Sequence, residues 1–254
     1  MVNNYHTIED GIVRDTLHAL VDYPLEKSYL SGGLSLQLTL PKQLHRITSD
    51  VDMDAARRIS YDGFKEYVHS TFEGLVQRGY LLTTEKRRQT WDARLERGEE
   101  HLVIQIPRRN ENNFSFRQKI VARELEHTRT VPYSQSGFRV IAYEDLTARK
   151  LIRSTTFMRS YNLTLPKLKS LDDMKSELDE LKDSFDRQRF SETPEEVAQD
   201  LARIRLYADA FDVKAMQEYF GNEFEETYLE EALGSFQDKG EKMREWISLF
   251  KKLS

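Results

Sequence analysis

Cysteine is absent from the 254-residue chain, which excludes a disulfide framework and a thiolate metal site alike. Long apolar runs are absent too. None approaches the roughly 20 residues that a membrane-spanning helix needs, so no membrane partner is expected. The first residues, Met1-Val2-Asn3-Asn4-Tyr5-His6, lack the basic and apolar regions of a secretory leader, and a cytoplasmic protein is the expectation. Internal repeats and low-complexity segments are missing. The six histidines (His6, His18, His45, His69, His101 and His127) show no metal-ligand spacing of the His-x-x-x-His kind. What the chain does have is charge, 32% of its residues, set beside 13 Phe, 12 Tyr and 2 Trp. Those aromatics are enough to build cores, which argues against disorder throughout.

Charge is unevenly placed. Residues 1–169 carry a surplus of Lys and Arg, while residues 170–254 carry a larger surplus of Asp and Glu. A basic front half suits an anionic ligand such as a nucleotide or RNA, and the acidic rear half does not. Patterning divides the chain in the same place. The front half alternates strand-like and helix-like segments: a helix capped by Thr7 and stopped by Pro24, a strand over 25–30, and a short helix over 34–40 closed by Pro41. An alternating strand over 47–54 comes next, then a helix ending near Gly79. Strands are predicted over 80–84, 91–95, 101–106, 122–130 and 138–141. From Tyr143 the chain reads as helical. Stretches over 143–158, 171–185 and 238–253 each place apolar residues on one side, and Thr193-Pro194-Glu195-Glu196 combines an N-cap, Pro at N1 and a capping-box Glu. The prediction is an α+β fold, a mixed sheet with flanking helices over 1–158 and a helical domain over 159–254.

Two short stretches carry the chemistry. In Ile47 to Asp54 the strand period sets Val51 and Met53 on one face and Asp50, Asp52 and Asp54 on the other. Asp50 and Asp52 then project about 6–7 Å apart, a spacing suited to hard divalent cations such as Mg²⁺ or Mn²⁺. Upstream, Gly32-Gly33 leads into a short helix and offers unhindered backbone N–H groups to a phosphate. A glycine pair alone is a turn, and an Asp-x-Asp alone is a solvated strand edge. Their order, strand then Gly-Gly then short helix then acidic strand, is the local design of the DNA-polymerase-β-like nucleotidyltransferases.

Three islands strengthen this. Leu30-Ser31-Gly32-Gly33, Arg46-Ile47-Thr48-Ser49-Asp50-Val51-Asp52-Met53 and Tyr143-Glu144-Asp145-Leu146-Thr147-Ala148-Arg149-Lys150-Leu151 resemble successive motifs of the AbiEii-type nucleotidyltransferase toxins. Ala208-Asp209-Ala210-Phe211-Asp212-Val213 resembles a fourth. The resemblance implies a metal-dependent nucleotidyltransferase of bacterial abortive-infection, phage-defence or toxin–antitoxin systems. It would transfer NMP from an NTP to an RNA acceptor such as a tRNA 3′ end, under the control of a cognate antitoxin. By that resemblance Asp50 and Asp52 are the metal ligands. Gly32, Gly33, Ser35 and Ser49 hold the triphosphate, Lys150 reaches the phosphates, and Asp209 stands beside the acceptor as base or positioning group.

The chain departs from the family at four points. Leu34 follows Gly-Gly where Thr or Ser is usual, and Ser35 comes next. Gln105 stands where a third carboxylate is commonly expected on the central strand, with Asp54, Glu124 or Glu126 as candidates to compensate. Ala208 replaces an Arg, and a long insertion over about 160–193 precedes it. Leu34 and Gln105 favour the rival reading, a non-catalytic NTP- or RNA-binding module or interaction protein of the same fold. A basic set, Lys86, Arg87, Arg88, Arg94, Arg97, Arg108 and Arg109, lies near Trp91 and Phe114. It is a candidate RNA surface, with salt bridges to the interleaved Glu85, Asp92, Glu96, Glu99 and Glu100 as the alternative.

Overall fold

A computed structural model describes residues 8–48, 50–108, 111–165, 167, 169–188, 192–236 and 241–253. The chain divides into two compact units, Met1–Ala142 and Tyr143–Ser254. The division falls ahead of the boundary predicted at 158, because the helix starting at Tyr143 packs on later helices of the second unit.

The first unit contains α1 (Gly11–Asp22), β1 (Ser28–Ser31), α2 (Gly32–Gln37), β2 (Asp50–Ala55), α3 (Tyr61–Gln77), β3 (Leu81–Lys86), β4 (Thr90–Arg97), β5 (Glu100–Pro107), α4 (Glu111–Glu126), β6 (Arg129–Tyr133) and β7 (Ser136–Val140). The strands form one seven-stranded sheet in the order β3-β4-β5-β2-β1-β7-β6. It is mixed: β2 runs parallel to β5 and β1 parallel to β7, while the remaining neighbours are antiparallel. Strand alternation makes the sheet two-sided. Val51, Met53, Ala93, Leu95, Leu102, Ile104 and Ile106 face a core shared with Ile12, Val13 and Leu17 of α1 and Phe64, Val68 and Phe72 of α3. The opposite face carries Asp50, Asp52, Gln105, Asp92 and Arg94.

Two predictions fail here. Thr7 lies outside the described residues, and α1 starts at Gly11 with Asp10 as its N-cap. The segment 122–130 is not a strand: it contains the end of α4 and the start of β6. Ile120, Val121 and Glu124 are buried on α4, a helical i, i+1, i+4 pattern that the period-two reading of Ala122 onward missed.

The second unit is helical among its described residues: α5 (Tyr143–Tyr161), α6 (Leu171–Gln188), α7 (Pro194–Phe220), α8 (Glu226–Gly234) and α9 (Glu241–Leu253). The longest, α7, starts on the capping box read from the sequence. Thr193 Oγ1 accepts from the Glu196 N–H at 3.3 Å, and Glu196 Oε2 accepts from the Thr193 N–H at 2.9 Å. Helices α5, α6 and α9 pack on α7, and Leu146 and Leu151 of α5, Met174 and Leu178 of α6, and Leu249 and Phe250 of α9 are buried. No described helix is long and apolar enough to cross a membrane.

Candidate functional site

The glycine turn and the acidic strand are neighbours, because β1 and β2 pair antiparallel with Ser31 opposite Asp52. Gly32 follows immediately with φ +75, a left-handed conformation that only glycine adopts freely. A Cβ there would lie 2.0 Å from Asp52 Oδ2, so the carboxylate is packed directly onto the glycine backbone. Gly33 is equally close to other polar groups: a Cβ there would meet Arg46 Nη2 at 2.9 Å and Thr48 Oγ1 at 3.1 Å. Two bare glycines thus let a carboxylate, a guanidinium and a hydroxyl crowd one turn.

The loop between α2 and β2 is fixed by buried polar contacts. Gln37 Nε2 donates to the Arg46 carbonyl at 2.8 Å, and its Oε1 accepts from the Ile8 N–H. His45 Nε2 donates to the Leu40 carbonyl at 2.7 Å. These bonds deliver Thr48 to β2, where its hydroxyl donates to Asp50 Oδ1 at 3.1 Å. Asp50 and Asp52 are half-buried on the same polar face, whereas Asp54 is buried. The third aspartate pairs in register with Tyr29, whose hydroxyl donates to the buried Glu124. Glu124 and Glu126 belong to a helix rather than to another strand, and Glu124 is committed to that tyrosine.

The nucleotide-facing hydroxyl predicted at Ser35 is placed differently. Ser35 is 2% exposed and donates from Oγ to the Gly32 carbonyl at 2.8 Å. It braces the turn from inside. Leu34 is 1% exposed and belongs to the apolar core, which accounts for an apolar residue directly after the glycine pair. Ser49 lies outside the described residues. Among the described residues, Thr48 sets a hydroxyl on Asp50, and Ser31 stands opposite Asp52 in register. Thr48 stands two residues before Asp50, so strand period alone could have found it.

Asp52 has Gln105 as its register partner on β5, and Gln105 in turn faces Asp92 on β4. Gln105 Nε2 donates to Asp92 Oδ2 at 3.0 Å, and Arg87 Nε lies 2.9 Å from the same oxygen. Among the described residues no group of three or more His, Asp or Glu side chains is placed to hold a metal. The donor set present still fits a hard cation, since Mg²⁺ binds through one or two carboxylates, keeps several waters and takes the rest from phosphate. Asp50 and Asp52 are such a pair.

Lys150 and Asp209 lie together in the second unit, on α5 and α7. Lys150 is 2% exposed, and its ammonium donates to Asp209 Oδ1 at 3.1 Å and Asp212 Oδ2 at 2.6 Å. Arg153 grips the other side of Asp209, Nε to Oδ2 at 2.7 Å and Nη2 to Oδ1. Burial alone would raise the Asp209 carboxyl, but Arg153 and Lys150 outweigh it and hold the group below the ordinary value of 3.8. A carboxylate held low is a poor base, and the Lys150 ammonium is engaged by two carboxylates. These residues form a neutral four-charge cluster that fastens α5 to α7. The start of the same motif is structural as well. Glu144 accepts from the Glu225 N–H at 3.0 Å and Asp145 from the Tyr228 hydroxyl at 2.6 Å, tying α5 to the start of α8.

The basic set is largely engaged locally. Arg87 pairs with Glu85 and Asp92, Arg94 with Glu96, and Arg97 with Asp15. Lys86 lies over the Tyr61 ring and Arg108 over Trp91, at 4.5 and 4.9 Å. Arg109 lies outside the described residues, as does the side chain of Phe114.

No protein-family model, no curated protein and no solved structure matches this chain.

Proposed function

We propose that the chain is a divalent-cation-dependent nucleotidyltransferase whose nucleotide and metal site is built by the first unit. The observation that carries the reading is the contact of the Asp52 carboxylate with Gly32 beside Asp50. A carboxylate pair is thereby set against a glycine turn on the polar face of a mixed sheet. The antiparallel β1–β2 pair with β5 parallel to β2 supports a polymerase-β-like fold. The motif resemblance supports a toxin or phage-defence role, an RNA acceptor such as a tRNA end, and a protein antitoxin as partner.

In this reading Asp50 and Asp52 hold Mg²⁺ or Mn²⁺, and Thr48 orients Asp50 through its hydroxyl. The cation would draw charge from the phosphates as it develops. Backbone N–H groups of the Gly32-Gly33 turn face the triphosphate, and the Arg46 guanidinium over Gly33 supplies the cationic contact that Lys150 does not. An acceptor hydroxyl oxygen forms the new bond to the α-phosphorus. The bond to the bridging oxygen breaks, pyrophosphate leaves, and the hydroxyl proton passes to water.

The test is incorporation of each of the four labelled NTPs into total tRNA with Mg²⁺ or Mn²⁺. Transfer by the wild type, lost by at least a hundredfold in Asp50→Ala and Asp52→Ala (on the order expected for removing a metal ligand), is the expected result. Absence of transfer with all four NTPs overturns the enzyme reading, and transfer that survives in both variants overturns the site. The engagement of Lys150 by Asp209 and Asp212 favours a second reading, a module that binds NTP without transferring it. That reading predicts cation-dependent NTP binding with no incorporation.

A further inference from the structure

Asp52, Gln105 and Asp92 occupy one transverse row over three adjacent strands, on the polar face of the sheet. Asp92 is 3% exposed, a costly place for a carboxylate. Its Oδ2 accepts from Gln105 and is ion-paired with Arg87, while its Oδ1 is buried and accepts no hydrogen bond among the described residues. A carboxylate placed this way does one definite thing to its neighbour. It accepts and cannot donate, so it selects which end of the Gln105 amide faces it. The NH₂ arm is drawn towards Asp92 and the oxygen arm is turned away. The residue on the other flank of Gln105 in the same row is Asp52.

We propose that Gln105 contributes its side-chain oxygen as a neutral ligand to the cation held by Asp50 and Asp52, and that Asp92 is the positioning residue that fixes this orientation. The assignment rests on the metal site of the preceding subsection. It gives the site two negative oxygen donors and one neutral one, with the third carboxylate one strand further out, acting through the amide. Arg87, ion-paired to the same carboxylate oxygen, offsets the charge of Asp92. The set therefore discriminates by hardness and size of the cation rather than by a third negative charge, a donor composition that either Mg²⁺ or Mn²⁺ accepts.

The experiment is Mn²⁺ binding to the full-length chain without nucleotide, read as the loss of the free-ion electron paramagnetic resonance signal, with thermal melts to verify folding. Gln105→Met, which keeps size and removes the oxygen, and Asp92→Leu, which removes the acceptor, each weaken binding by about tenfold. Gln105→Glu binds more tightly than the wild type. The decisive arm is the double variant. Glutamate has two equivalent oxygens and needs no orienting, so Asp92→Leu costs nothing in the Gln105→Glu background. A purely structural role for Asp92 would weaken both backgrounds equally, and that outcome overturns the positioning assignment. Wild-type Mn²⁺ binding in Gln105→Met overturns the ligand assignment while loss in Asp50→Asn and Asp52→Asn keeps the site. Wild-type binding in those two aspartate variants instead removes the metal site itself, and the functional reading with it.

Discussion

Gly32 is the residue on which the carboxylate site depends most directly, because it combines a left-handed backbone with contact to Asp52. Gly32→Ala adds strain of about 1–3 kcal/mol and displaces the Asp52 side chain. Urea denaturation of the variant is expected to show a lowered midpoint together with weaker Mn²⁺ binding. A variant that binds as the wild type does would mean that Asp52 has room to spare. In the second unit the sensitive residue is Lys150. Lys150→Met leaves Asp209 and Asp212 buried with one cation fewer, and the expected loss is about 3–5 kcal/mol, read by the same denaturation. Asp209 gives this cluster a pH signature. Its carboxyl is depressed in the folded state, so its stabilisation is present above the unfolded value of 3.8 and is lost as pH falls below it. Acid titration of the helical circular dichroism should therefore be shallower in Asp209→Asn than in the wild type. Identical acid limbs would show that other carboxylates govern the acid limb.

At the scale of elements, what local period determines was legible and what strand order determines was not. Asp50 and Asp52 share a face because a strand alternates, and their pairing with the glycine turn followed from motif order. The capping box at Thr193 was legible for the same reason, since all its atoms lie within four residues. Thr193→Ala should lower stability by about 1 kcal/mol, measurable as a shift in the thermal midpoint, and no shift would mean that α7 is held by packing alone. Asp92 and Gln105 were beyond this kind of reading. They face each other on the β4–β5 hairpin, but their row reaches Asp52 only because β5 also lies beside β2, a non-local choice that no window reveals. Leu34 misled in another way: it looked like a lost nucleotide contact, yet the position faces the core. The partners of Lys150 were not legible from its motif, which gives a residue's neighbours in sequence but not the two aspartates some sixty residues on. The short α8 went unread because nine residues leave too few turns for a helical period to register.

For the whole molecule, the division at Tyr143 has a direct consequence. A fragment of residues 143–254 retains the Lys150–Asp209–Asp212 cluster and the Glu144 and Asp145 contacts to α8, and it is expected to melt cooperatively. A fragment of residues 159–254 loses all of them, and it should show weak helicity and no sharp transition. If the shorter fragment melts as sharply as the longer one, α5 is not part of the helical core. The sheet of the first unit carries a consequence of a different kind, concerning time. The β3-β4-β5 meander closes through short connections, whereas β1, β2 and β7 must be brought in from distant parts of the chain, and such closures are slow. Gln105 and Asp92 therefore meet early, on the meander, and Asp50 and Asp52 arrive with the later strand. Pulsed hydrogen exchange during refolding would show this as protection of β4 and β5 before β2, and simultaneous protection would refute the order. A chain that folds in this sequence completes the proposed cation site only once β2 is seated, so a half-made molecule would hold Gln105 and Asp92 without the two aspartates.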